Sequence, residues 1–194
     1  GKTFYKKGEK YGEENGIAGL MTGNYYLGIE KKQVDFYIIK GIVEELLDYL
    51  GYGGRYSFIV KEEMPKELHP GQSSLISVNN DVIGIIGKVH PQKIKENIYV
   101  FEINLEKLLT KVGKMKYKEL SKYPSVKKDL AVIINKNVTA QEIATLIKKS
   151  AGSLLLNTEV FDVYTGKGIE ENKKSLAYSL EFGTNDRTLT DEEI

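Results

Sequence analysis

The sequence predicts an α+β protein in two units, an antiparallel sheet beside one long helix and then a smaller strand–helix–strand–strand unit. Three observations carry this. Ile38, Ile39, Ile42, Val43, Leu46, Leu47 and Leu50 recur at threes and fours, the period of a helix with one buried face. Short apolar or alternating runs make up most of the remainder, separated by glycine, asparagine and proline. A polar, lysine-rich stretch at 111–118 divides the runs into two sets, so the boundary is set between residues 1–118 and 119–194.

Taken in order, residues 16–22 form an apolar run suited to a buried strand. Asp35 stands as an N-cap ahead of the long helix, and Gly51 holds the position where a left-handed residue ends it. Residues 56–60 alternate as a strand. Residues 74–78 and 82–89 face each other across Asn79-Asn80-Asp81, a hairpin signal. A strand at 99–103 leads into a short helix at 105–109. In the second unit a strand at 130–134 precedes a helix from 139 to about 150, where Thr139 and Glu142 form a capping-box pattern. Strands at 154–163 and 175–182 follow, and Thr190 to Glu193 repeats the capping pattern at the start of a last helix.

Composition narrows the function. With no cysteine there is no disulfide framework, thiol nucleophile or thiolate metal site. No apolar run approaches the roughly 20 residues that span a bilayer, and no signal or lipidation pattern appears. A membrane partner is not expected. Twenty-eight basic and 27 acidic residues leave a net charge of +1, so nucleic acid would be held by a local patch and not by bulk charge. Only Arg55 and Arg187 offer guanidinium groups, the side chain best suited to bidentate phosphate contacts. The chain starts at Gly1 and stops within a helical pattern at Ile194, and is read as part of something longer.

Four phrases in fixed order bring a known family into view. They are Tyr123-Pro-Ser-Val-Lys-Lys-Asp-Leu-Ala131, Val160-Phe-Asp-Val-Tyr164 running to Gly168, Lys173-Lys-Ser-Leu-Ala177, and Arg187 to Ile194. Together they resemble the ferredoxin-like anticodon-binding domain of the bacterial phenylalanyl-tRNA synthetase beta subunit. Upstream, Val34-Asp-Phe-Tyr37 with Lys40-Gly41, His69-Pro-Gly-Gln-Ser73, and Gly84-Ile-Ile-Gly87 with His90-Pro91 resemble the preceding, non-catalytic module of that subunit. The resemblance implies a partial class II synthetase-like antiparallel module over 1–118. Over 119–194 it implies a ferredoxin-like βαββα(β) domain that stops before its last strand, leaving the edge of the first strand open.

The same resemblance implies the anticodon stem-loop of the phenylalanine-specific tRNA as a partner, with a catalytic alpha subunit in an (αβ)2 assembly, acting in the cytoplasm. DNA is not expected. The whole enzyme would use ATP and magnesium to charge tRNA, while this chain would carry no cofactor, metal or catalytic residue. A free-standing RNA-binding regulatory module is one alternative, and a small hydrolase using His69 or His90 is the other, disfavoured by the absence of a triad and of further metal ligands.

Candidate chemistry is sparse. His69 and His90 each precede proline and lack the further ligands a metal needs, which suits turn or strand-end roles. Ser73 and Ser74 lack the nucleophile-elbow pattern. Residues 1–118 hold one arginine, too few for the nucleotide clamp of an active class II site.

In the second unit, Leu176, Tyr178, Leu180 and Phe182 alternate with Ser175, Ala177, Ser179 and Glu181. The large set should pack on the helices and the small set should leave a shallow face. Such a face either meets solvent or lets a splayed RNA base approach and stack. The residues assigned to RNA are Ser175, Ala177 and Ser179 on that face, Tyr164 at the end of the preceding strand, and Lys127, Lys128, Lys167, Lys173, Lys174 and Arg187 around it. Lys167 in the 166–168 connection, with Lys173 and Lys174, is equally suited to a solvated loop. Arg187 would reach phosphate or pair with Asp191.

Overall fold

The structure is a computed structural model and describes residues 1–110 and 121–194. The chain divides into two compact units, Gly1–Lys116 and Tyr117–Ile194. The boundary expected at 118/119 lies outside the described residues.

In the first unit the strands are β1 (Lys2–Lys7), β2 (Lys10–Thr22), β3 (Asn24–Leu27) and β4 (Glu30–Gln33) before the helix α1 (Phe36–Tyr49). After it come β5 (Tyr56–Ile59), β6 (Leu68–Val78), β7 (Asp81–Val89), β8 (Ile98–Asn104) and the short helix α2 (Leu105–Leu109). Six strands form one antiparallel sheet in the order β1-β2-β8-β7-β6-β5, and among the described residues β3 and β4 pair as a separate two-stranded sheet.

The long helix forms where the period placed it. Asp35 accepts the backbone N–H of Ile38 at 2.8 Å, and Gly51 just beyond the helix has φ 80°. Ile39, Val43 and Leu47 are fully buried against Ile76, Ile83, Ile86 and Ile103 of the sheet. Apolar burial of this kind is worth roughly 1.5–3 kcal/mol per large side chain. Asn79 and Asn80 both take positive φ, 50° and 68°, which matches the twist of the flanking strands in a two-residue hairpin turn. β1, β3 and β4 were not expected. Their described side chains are almost all exposed, so no buried face imposes a period on the sequence.

The second unit runs β9 (Val126–Asn135), α3 (Ala140–Ala151), a 3-10 turn at Gly152–Leu154, β10 (Leu155–Tyr164), β11 (Lys173–Phe182) and a 3-10 turn at Asp191–Glu193. The sheet order is β10-β11-β9, all antiparallel, with the first strand at one edge. Thr139 and Glu142 make both bonds of the capping box that starts α3. Ile143, Ala144 and Ile147 of this helix pack on Leu176, Tyr178 and Leu180, and the Tyr178 hydroxyl donates to the Ala140 carbonyl at 2.9 Å. β9 is twice the length of the apolar run that signalled it, because its polar first half also pairs with β11. At the end of the chain the capping-box bonds at Thr190 and Glu193 form as expected, closing a 3-10 turn.

Candidate nucleic-acid interface

β11 alternates strictly. Leu176, Tyr178, Leu180 and Phe182 are buried toward α3, while Ser175, Ala177, Ser179 and Glu181 are half-buried on the other face. Cross-strand partners in an antiparallel pair share a face, so register defines the open surface row by row. Ser175 lies between Ile133 and Tyr164, and Ala177 between Ala131 and Asp162. Ser179 lies between Asp129 and Glu159, and Glu181 between Lys127 and Asn157. The middle rows are low because serine and alanine leave little above the backbone.

A bulge in β10 builds the rim of this surface. Register slips between Val160 and Asp162, so Phe161 is the extra residue. Val160 opposes Tyr178 on the helix side, and unbroken alternation would send Asp162 and Tyr164 to that same side. The bulge turns both onto the open face, the re-aiming that bulges commonly provide. Tyr164 is 47% exposed, and its hydroxyl donates to the Lys167 carbonyl at 3.3 Å. A Cβ on Gly166 would stand 2.8 Å from that hydroxyl, so glycine leaves room for the ring to settle beside the connection.

The structure brings together part of the expected set. Ser175, Ala177, Ser179, Tyr164, Lys127 and Lys173 belong to the open face. Lys173 pairs with Glu170 at 2.7 Å. Lys128 and Lys174 oppose Leu180 and Ile134, so they belong to the helix side at the sheet ends, and Lys174 donates to the Lys136 carbonyl at 3.0 Å. Lys167 sits in the connection after β10.

Arg187 pairs with Glu193 at 2.6 Å, and the pairing considered with Asp191 falls on a side chain outside those described. The guanidinium hydrogen bond, followed by the Thr190 backbone N–H, holds the Glu193 carboxyl down at about 2. Glu193 in turn holds the Arg187 guanidinium above its ordinary value.

Sequence reasoning missed Ala131, Ile133, Asp129, Glu159 and Asp162. The first three follow from pairing register and the others from the bulged strand. Their presence changes the electrostatics. The open face carries the carboxylates of Asp129, Glu159, Asp162 and Glu181 against the ammonium groups of Lys127 and Lys173. A surface so rich in acceptors suits the donor edge of a base better than a phosphate.

The first unit offers less chemistry. Nδ1 of His69 accepts the Gly71 N–H at 3.1 Å, and Nδ1 of His90 accepts the Gln92 N–H at 3.2 Å, so each ring closes the turn around its own proline. The Ser73 hydroxyl donates to the His69 carbonyl at 2.8 Å and has no imidazole nitrogen as partner. Arg55 donates to the Gly51 carbonyl at 2.6 Å and lies 5.2 Å from the Tyr52 ring centre, holding the end of α1. Among the described residues no cluster of three or more His, Asp or Glu could hold a metal ion, and no helix is long and apolar enough to cross a membrane.

The strand–helix–strand–strand unit with its open sheet face is the class described as a ferredoxin-fold anticodon binding domain, whose family profile matches residues 121–194. The profile of the phenylalanyl tRNA synthetase beta chain CLM domain matches residues 1–105. The chain belongs to the phenylalanyl-tRNA synthetase beta chain family. It is 42% identical over its whole length to the phenylalanine–tRNA ligase beta subunit of Bacillus subtilis (strain 168), of which it spans 25%. It is 38% identical over 94% of its length to that of Listeria monocytogenes serovar 1/2a, and 36% identical over 94% to that of Halalkalibacterium halodurans, spanning 23% of each. The chain thus spans about a quarter of the curated relatives it matches.

Proposed function

We propose that this chain holds the anticodon loop of the phenylalanine-specific tRNA on the open face of β9, β10 and β11, and supports a catalytic alpha subunit without making bonds itself. The observation that carries this reading is the row Ala131–Ala177–Asp162 beside the row Ile133–Ser175–Tyr164. Small side chains let a flat base lie close to the sheet. Tyr164 offers a stacking surface at the rim, and Asp162 accepts hydrogen bonds from ring N–H and exocyclic NH2 groups, which favours bases whose edge presents donors. Lys127 and Lys173 at the ends of the face, with Lys167 in the connection, meet the backbone that enters and leaves the loop. Lys128, Lys174 and Arg187 contribute at its margins.

The first unit is proposed as the tail of a class II synthetase-like module that has no activity. Its single arginine is committed to the end of α1 and is not aimed at a nucleotide, so ATP and magnesium are assigned to other parts of the enzyme. There the alpha subunit of an (αβ)2 assembly would esterify tRNA with phenylalanine in the cytoplasm. A free-standing regulatory module is disfavoured because both family profiles fall in one chain, in the order of the beta subunits it resembles.

Ala177→Leu tests the reading. It places a branched side chain in the shallow row without entering the core, so the fold should persist while affinity for the anticodon stem-loop falls at least tenfold in a fluorescence titration. Unchanged affinity would remove the open face from the function.

A further inference from the structure

Among the described residues, the ribbon made by β1 and the first part of β2 has no third strand beside it. Within that described set β1 pairs only with β2 and residues 10–15 of β2 pair only with β1, and every residue of β1 is exposed. A two-stranded ribbon is marginal on its own in water, and here its base is tied down. Glu106 accepts the Asn15 backbone N–H at 2.9 Å and the Asn15 side-chain amide at 2.7 Å, and Asn104 donates to Glu14 at 2.9 Å.

Charge is sorted along the ribbon. At the base Glu13 pairs with Lys2 at 2.9 Å, whereas the tip holds Lys6, Lys7 and Lys10 against Glu9 alone. None of these three lysines forms an ion pair among the described residues. Register puts Phe4, Lys6 and Tyr11 on one face of the ribbon, with the Lys6 ammonium 5.3 Å from the Tyr11 ring centre, and puts the opposed pair Lys7 and Lys10 on the other face. Tyr11 is 80% exposed and Phe4 75%.

We infer that this ribbon is a second RNA contact, seating the lysines of its tip on the phosphates of a helical stem. The choice of RNA as the polyanion rests on the anticodon-binding reading of the second unit. The rest follows from the ribbon. Lysine ammoniums are point charges that register charge and not sequence. Six residue pairs extend roughly 20 Å, a reach suited to the wide, shallow minor groove of A-form RNA. There Tyr11 and Phe4 lie against ribose edges on one face, while Lys6, and Lys7 and Lys10 from the other face of the tip, reach the phosphates that border the groove. The ribbon therefore contributes affinity and the sheet face contributes selection.

The probe is a blunt RNA duplex of about 16 base pairs without any loop, titrated at several salt concentrations with the chain and with a Lys6→Ala, Lys7→Ala, Lys10→Ala triple variant. Circular dichroism checks that the variant keeps its fold, and Lys2→Ala serves as the control at the ribbon base. The triple variant should bind the duplex at least tenfold more weakly at low salt. Its slope of log affinity against log salt should fall by about one per lysine, and Lys2→Ala should leave both unchanged.

Equal affinity and slope for the triple variant, or no duplex binding by the parent chain, overturns the inference. So does loss of alpha-subunit association with RNA affinity unchanged, which would make the ribbon a protein-docking surface. The anticodon stem-loop titrated against Asp162→Asn separates the two readings. If Asp162→Asn weakens stem-loop binding while the triple variant leaves duplex binding alone, the ribbon fails by itself. If the triple variant weakens duplex binding while Asp162→Asn is silent, the sheet face fails by itself.

Discussion

Asp162 and Tyr164 reach the open face through one inserted residue, Phe161, and that makes them the most informative side chains to change. Stacking of a base on an aromatic ring is worth about 1–3 kcal/mol by alanine substitution. Tyr164→Ala should therefore weaken stem-loop binding by about five- to 150-fold, read by titration, while leaving the thermal transition nearly in place because the ring lies outside the core. Glu193 makes a pH prediction at the same scale. Its folded-state value is depressed to about 2 by Arg187 and the Thr190 backbone. Its contribution is present above the ordinary carboxylate range and lost as pH falls toward about 2. Amide signals of residues 187–193 should hold steady from neutral pH down to the ordinary range and then shift below it, and Glu193→Gln should abolish that step. At this scale the sequence disclosed the alternation of β11 but not the bulge. A one-residue slip leaves no compositional mark and reverses the facing of every later side chain in the strand.

Helices were legible where caps and period agreed, and strands where one face is buried. Asp35, Gly51, Thr139 and Glu142 each mark an end by a hydrogen bond or a backbone angle that few residue types supply. β1 and β4, exposed along their whole length, left no such trace. Two changes test the energetics of these elements. Gly41 sits mid-helix in α1 with open space where a Cβ would stand. Gly41→Ala should raise stability by about 0.5–1 kcal/mol in urea unfolding, since glycine carries the larger entropic cost in a helix. Thr139→Ala removes the N-cap of α3 and should lower stability by about 1 kcal/mol, seen first in the second unit. The edge of β9 away from β11 pairs with no strand among the described residues, and Ile133 is 61% exposed on that strand. Unpaired edges promote association, so sedimentation should show concentration-dependent self-association that Ile133→Lys reduces.

Across the whole molecule, 28 basic and 27 acidic residues leave almost no net attraction for RNA, and binding has to be built from local surfaces. The family was legible because separated phrases such as Lys127-Lys-Asp-Leu-Ala131 and Val160-Phe-Asp-Val-Tyr164 kept their order. The site was only half legible, because faces and pairings belong to the folded sheet. The proposed division of labour predicts that the chain alone gives no phenylalanine-dependent pyrophosphate exchange, as expected if adenylation belongs to the alpha subunit. The most direct test follows backbone amide shifts while the unmodified anticodon stem-loop is added. The account predicts that the shifts concentrate at Ala131, Ile133, Asp162, Tyr164, Ser175 and Ala177. Shifts that leave these six residues unmoved, whatever else responds, would contradict it.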